Sequence, residues 1–129
     1  MNKKNLQIIT LILSLIPIFT GVIGFCGIKD PLYGELYKTK NILLDTNLRF
    51  FSGVWLGLGI TMFTISKNIT ENKNLFKFIW LSIFLGGIGR IISIIDLGLP
   101  NIPFIFFTFL EILGAPFFIY WENKISFKN

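Results

Sequence analysis

Four long apolar runs, Leu6–Phe25, Leu48–Ile65, Leu75–Leu97 and Pro103–Tyr120, alternate with short polar segments along this chain. Each is close to the roughly 20 residues with which an α-helix crosses a hydrocarbon core about 30 Å thick. A helix packed in a soluble core carries a polar face, and these runs have almost none. The pattern predicts an all-α, integral membrane four-helix bundle. It forms one domain over residues 1–129, with short connections.

The residues between the runs agree with that plan. Asp30-Pro31 has the form of an N-cap followed by proline in the first helical position. Leu32, Tyr33, Leu36 and Tyr37 then suit either a short helix at the headgroup level or a plain loop with a tyrosine belt. Asp45, Thr46 and Asn47 are good capping residues before the second run, and Gly98-Leu99-Pro100-Asn101 is a tight break between the last two. Pro17 and Pro116 each predict a bend inside a run. The first run reads as a retained helix. It exceeds the about 7–15 apolar residues of a signal peptide, no small-x-small cleavage site follows, and bulky Phe25 before Cys26 argues against a lipoprotein signal.

Composition strengthens the membrane reading: 53% of residues are hydrophobic and 15% charged, against about 45–50% and about 25% in ordinary soluble domains. The net charge of +5 does not point to nucleic acid, because every lysine lies in a tail, a loop or the first turn of a run. Lys3, Lys4, Lys67, Lys73, Lys77, Lys124 and Lys128 fall on one side of the membrane. Lys29, Lys38 and Lys40, with Arg49 at the boundary, fall on the other. The excess predicts a multi-pass protein of the cell inner (cytoplasmic) membrane with both termini cytoplasmic. One cysteine, Cys26, and no histidine leave no intrachain disulfide, no multi-cysteine metal site, and neither the commonest zinc ligand nor the commonest general base. We expect no metal and no cofactor.

Against this background the charges inside the runs stand out. Gly86–Asp96 carries Arg90 and Asp96 among glycines and isoleucines, and Glu111 is the one charge of the fourth run. A bare charge at the middle of a bilayer costs about 2.5–3.5 kcal/mol even on lenient insertion scales. Ser82, Gly86, Gly89 or Arg90, Ser93 and Asp96 share a helical stripe. Asp45 and Arg49 are four apart, and continuing by fours gives Gly53 and Gly57, a GxxxG pair. Arg90 and Glu111 lie roughly 10 and 12 Å from the break between their helices at 1.5 Å per residue, so they are expected to meet. Asp45 and Arg49 are expected at the same level. The two arginines both fall in this set and none of the ten lysines does, which suggests a need for a permanent, bidentate cation. The candidate ligand-binding residues are therefore Arg49, Arg90, Glu111, Asp45, Ser93 and Asp96, and the candidate helix-packing glycines Gly53, Gly57, Gly86, Gly87, Gly89 and Gly114. The pairs could serve as helix glue, but interhelical polar contacts in membranes average only about 0.6 kcal/mol, small beside the insertion cost.

These residues carry a resemblance. Asp45-x-x-x-Arg49-Phe50-x-x-Gly53-x-x-x-Gly57-x-Gly59, then Gly86-Gly87-x-Gly89-Arg90-x-x-Ser93, the Gly98-x-Pro100 turn, Glu111 and Trp121 resemble domain-of-unknown-function family 4345. It comprises small bacterial proteins with four transmembrane helices, similar in overall plan to DoxX-like membrane proteins. The resemblance spans Asp45 to Trp121 and implies the architecture without an activity.

Three classes of function fit these readings. The first is a binding or accessory protein whose charged cluster holds a lipid headgroup or another small polar or amphipathic ligand. The second is a proton-coupled transporter with Glu111 or Asp96 carrying the proton, which with four helices requires a homo-oligomer. The third is a structural subunit beside another membrane protein. Catalysis is disfavoured, since the chain has no histidine, no cysteine–base pair and no HExxH or GxSxG motif. Expected partners are membrane lipid, a second copy or a membrane protein.

Overall fold

In the computed structural model, which describes residues 2–126, the apolar runs lie in four α-helices: α1 (Lys3–Gly24), α2 (Ile42–Ile65), α3 (Lys73–Leu97) and α4 (Ile102–Ser126). All four are long and apolar enough to cross a membrane, and no strand occurs among the described residues. The protein is an all-α, multi-pass membrane protein. Lys128 of the basic C-terminal tail lies outside the described residues.

Each helix outruns its apolar segment, because backbone hydrogen bonding continues into the polar flanks. At α2 the whole difference falls at the start. Asn41 is its N-cap, and its side chain accepts from the Leu44 N–H at 3.0 Å. Asp45, Thr46 and Asn47 therefore sit inside the helix instead of capping it. Between α1 and α2 the chain makes two 3-10 segments, Gly27–Lys29 and Pro31–Thr39. Asp30 caps the second through the Leu32 N–H at 2.8 Å. A kink at Gly34 and Glu35 interrupts it, so the tyrosine stretch is neither a regular helix nor a plain loop. Helices α1 and α4 both continue through their internal prolines, Pro17 and Pro116.

The chain divides into two compact units, Ile8–Ser66 and the first turn of α1 together with the chain from Lys67 onward. In the first, α1 and α2 run antiparallel. Gly24 lies against Ser52, Gly21 against Leu56, and Gly59 against Ile18 and Pro17. A Cβ at Gly21 would stand 2.9 Å from the Leu56 Cβ, so the backbones meet directly. The buried face of α1 is Thr10, Ser14, Pro17, Gly21 and Gly24, while Ile12, Phe19 and Val22 point outward. Lipid is as apolar as a protein core, so small residues that allow close packing face the neighbour and bulky ones face the bilayer. Ser14 donates to the Leu11 carbonyl at 2.6 Å, and Trp55 Nε1 donates to Thr20 Oγ1 at 2.8 Å.

In the second unit, α3 and α4 form an antiparallel hairpin. Gly98 ends α3 with φ +94° and donates its N–H to the Ile94 carbonyl at 2.9 Å. Residues of this shape-demanding backbone region are usually glycine. Gly87 lies against Glu111 and Ile112. Nearer the other end, Trp80 stacks on Phe118 with centroids 4.4 Å apart, and Trp121 stacks parallel to Phe118 at 6.1 Å. The Gln7 side chain donates to the Lys67 carbonyl, tying the first turn of α1 to this unit.

Candidate functional site

The first unit holds Asp45 and Arg49, one turn apart near the start of α2. Arg49 Nε donates to Asp45 Oδ2 at 2.7 Å and Nη2 to Asp45 Oδ1 at 3.3 Å. The remaining capacity of the guanidinium goes to the main chain: Nη1 donates to the Phe25 carbonyl and Nη2 to the Cys26 carbonyl at 3.3 Å. Those carbonyls follow directly on the C-terminus of α1, where a cation is favoured, and the Cys26 carbonyl also accepts from the Lys29 N–H at 3.2 Å. Asp45 Oδ1 also accepts from the Ile28 N–H at 3.0 Å. The pair therefore clamps the turn after α1, and every nitrogen of the Arg49 fork is engaged.

Arg90 and Glu111 meet across the α3–α4 hairpin of the second unit. Arg90 Nε donates to Glu111 Oε2 at 2.8 Å, with side-chain exposures of 35% and 7%. The Arg90 guanidinium lies 5.4 Å from the centroid of the Phe104 ring, within cation–π range. Neither Nη atom has an acceptor among the described residues. Arg90 thus keeps the two-pronged end of its fork available, which Arg49 does not. Ser93, one turn along α3, and Asp96 are exposed, and Asp96 has no ion pair among the described residues. Gly86 and Gly89 are exposed beside Arg90, and a Cβ on either would meet nothing within 4 Å.

The other glycines sort by the same measure. Gly87 is in tight contact with α4, and a Cβ at Gly53 would lie 3.5 Å from the Phe25 ring. Gly114 is in ordinary contact with Leu110, Trp80 and Phe118, while Gly57 is open. The tightest contacts of the first unit fall at Gly21, Gly24, Gly27 and Gly59.

A second ion pair in the hairpin joins Lys77 of α3 to Glu122 of α4. Lys77 Nζ stands 3.2 Å from Glu122 Oε2, with side-chain exposures of 34% and 1%. The angle is outside hydrogen-bond geometry, and Oε2 has no hydrogen-bond partner among the described residues. Glu122 Oε1 accepts from the Ser126 hydroxyl. Among the described residues no three histidine, cysteine, aspartate or glutamate side chains are grouped to hold a metal ion.

A family model described as "Domain of unknown function (DUF4345)" matches residues 5–122. The chain belongs to this family. No curated protein and no solved structure matches it.

The matched region of this DUF4345 chain contains the three ion pairs that the helices carry among the described residues. The pattern of apolar runs draws attention to Arg49, Arg90 and Glu111 but passes over Glu122, because the fourth run closes at Tyr120 and leaves Glu122 in the tail. A signal was available. Reflecting the chain about the turn at 98–101 sets position 77 opposite 122, which is where the DUF4345 hairpin pairs them.

Proposed function

We propose that this protein is a membrane binding protein whose Arg90–Glu111 pair holds the polar head of an amphipathic ligand, with phosphate or carboxylate as the recognised group. The observation that carries the reading is the half-used fork of Arg90: Nε is fixed by Glu111 while neither Nη atom has an acceptor among the described residues. Two parallel N–H donors match the two oxygens of a carboxylate or phosphate. Glu111 neutralises the charge within the membrane and orients the fork, and Ser93 and Asp96 offer polar groups farther along the same helix. The open positions at Gly86 and Gly89 leave room beside the guanidinium for a ligand's chain. The lysine distribution supports a setting in the cytoplasmic membrane with both termini on the cytoplasmic side.

Native mass spectrometry of protein released from membranes tests this. Wild type and Arg49→Lys are expected to retain anionic lipid adducts, and Arg90→Lys and Arg90→Ala to lose them. The same adducts on all four proteins would reject the reading.

A further inference from the structure

The Lys77–Glu122 end of the α3–α4 hairpin carries polar atoms that the protein leaves unpaired. Among the described residues, Trp80 Nε1, Trp121 Nε1, Glu122 Oε2 and Thr70 Oγ1 are buried without a hydrogen-bond partner. These are not fringe groups: Trp80, Trp121 and Glu122 are 2%, 8% and 1% exposed. Thr70 precedes α3, and Lys77 and Trp80 lie in its first two or three turns. Trp121 and Glu122 lie in the last turns of α4, so the set falls at one end of the hairpin. Both indoles stack near-parallel on one ring, Phe118, at 4.4 and 6.1 Å.

We propose that this end of the hairpin binds buried water, held by the indole N–H groups of Trp80 and Trp121 and by Glu122 Oε2. The chemistry of the set selects the guest. An indole N–H only donates and an ionised carboxylate oxygen only accepts, so the guest must do both. An anion would suit the indoles and Lys77 but oppose Glu122, and a cation would meet Lys77. The Lys77–Glu122 pair is neutral as a unit and calls for a neutral guest. Buried waters meet this description, typically making about three hydrogen bonds to otherwise unsatisfied polar groups. Water here would also explain how Glu122 Oε2 is served although Lys77 approaches it off the hydrogen-bonding direction. The site is separate in chemistry from Arg90–Glu111, which offers a free cationic fork rather than mixed donors and acceptors.

The three tryptophans of the chain supply their own control, because Trp55 Nε1 already donates to Thr20 Oγ1 at 2.8 Å. Full-length protein with ¹⁵N-labelled tryptophan, in lipid nanodiscs, is examined for magnetisation transfer between indole N–H protons and water. Two of three indole signals are expected to show water cross-peaks, and single Trp→Phe substitutions should assign them to Trp80 and Trp121. Loss of the Trp121 cross-peak in Glu122→Leu would place the carboxylate in the same site. The wild-type spectrum decides even where a variant does not fold. Three indoles without water contact, or contacts to lipid protons in place of water, would overturn the proposal.

Discussion

Gly87 of α3 backs directly onto Glu111 of α4: a Cβ added at Gly87 would stand 2.9 Å from the Glu111 Cβ and 3.0 Å from Ile112 Cδ1. The carboxylate that receives Arg90 is thus set by a close helix–helix approach as well as by its ion pair. Its neighbour Gly86 differs completely, since a Cβ there meets nothing within 4 Å. Gly87→Ala is expected to destabilise the protein by about 1–3 kcal/mol through overpacking. Gly86→Ala should be neutral or stabilise by up to about 1 kcal/mol through helix propensity. Thermal unfolding of both variants in one lipid or detergent system, followed by circular dichroism, checks the contrast. Equal losses would show that the two positions are not distinguished by packing.

The two arginines predict opposite separations of folding from binding. Arg49 bonds Asp45 and two main-chain carbonyls at once, a geometry that the single ammonium of lysine does not reproduce. Arg49→Lys is expected to lower the unfolding temperature while leaving lipid adducts on the folded fraction. Arg90→Lys keeps a cation for Glu111 but loses the free prongs. It is expected to unfold close to wild type and to lose adducts. Melting curves and native mass spectra of the same preparations decide it, and parallel losses in both readouts for both variants would contradict the division.

How far the sequence could lead follows from what each signal records. Hydropathy locates where side chains meet lipid, so it finds all four helices yet stops short at their polar ends. It therefore misses Asn41 as the cap of α2 and places Glu122 in a tail. Spacing of three and four records shared faces within one helix, so Asp45–Arg49 is legible as an i, i+4 pair. The Gly98 break, which makes α3 and α4 a hairpin, adds Arg90–Glu111. Spacing does not say which face meets a neighbour. Gly53 and Gly57 make a recognisable GxxxG pair, but α1 approaches α2 most tightly at Gly59, Leu56 and Ser52. The buried side of α1, with Thr10 and Ser14 inward, is hidden for a related reason: in lipid, polarity no longer marks the outside.

Lys77 and Glu122 predict a thermodynamic cycle. Glu122 is buried at 1% exposure, so removing Lys77 leaves a carboxylate without its cation. Breaking a buried pair from one side typically costs about 3–5 kcal/mol, whereas replacing both partners with apolar residues is often near neutral. Lys77→Met is therefore expected to destabilise strongly, and Lys77→Met with Glu122→Leu to recover most of the loss. Unfolding free energies of wild type, both single variants and the double variant give the coupling directly. Additive effects would mean that the pair contributes no interaction.

Gly27 and Gly34 share φ +61° but not surroundings, which separates backbone strain from packing. Gly34 (φ 61°, ψ −119°) and Glu35 (φ −89°, ψ 15°) have the torsions of the central residues of a type II′ turn, and a Cβ at Gly34 would meet nothing within 4 Å. A Cβ at Gly27 would stand 2.1 Å from Asp45 Oδ1 and 3.0 Å from Arg49 Nε. Gly34→Ala should therefore cost only the strain of an unfavourable backbone region, about 1–3 kcal/mol. Gly27→Ala must in addition push Asp45 away from the Ile28 N–H and from Arg49. Its penalty is expected to exceed that of Gly34→Ala. In an Asp45→Ala background, where the obstructing oxygen is gone, the excess should disappear. Unfolding temperatures of Gly27→Ala and Gly34→Ala, each with and without Asp45→Ala, test this. An unchanged Gly27→Ala penalty in the Asp45→Ala background would assign the whole effect to the backbone.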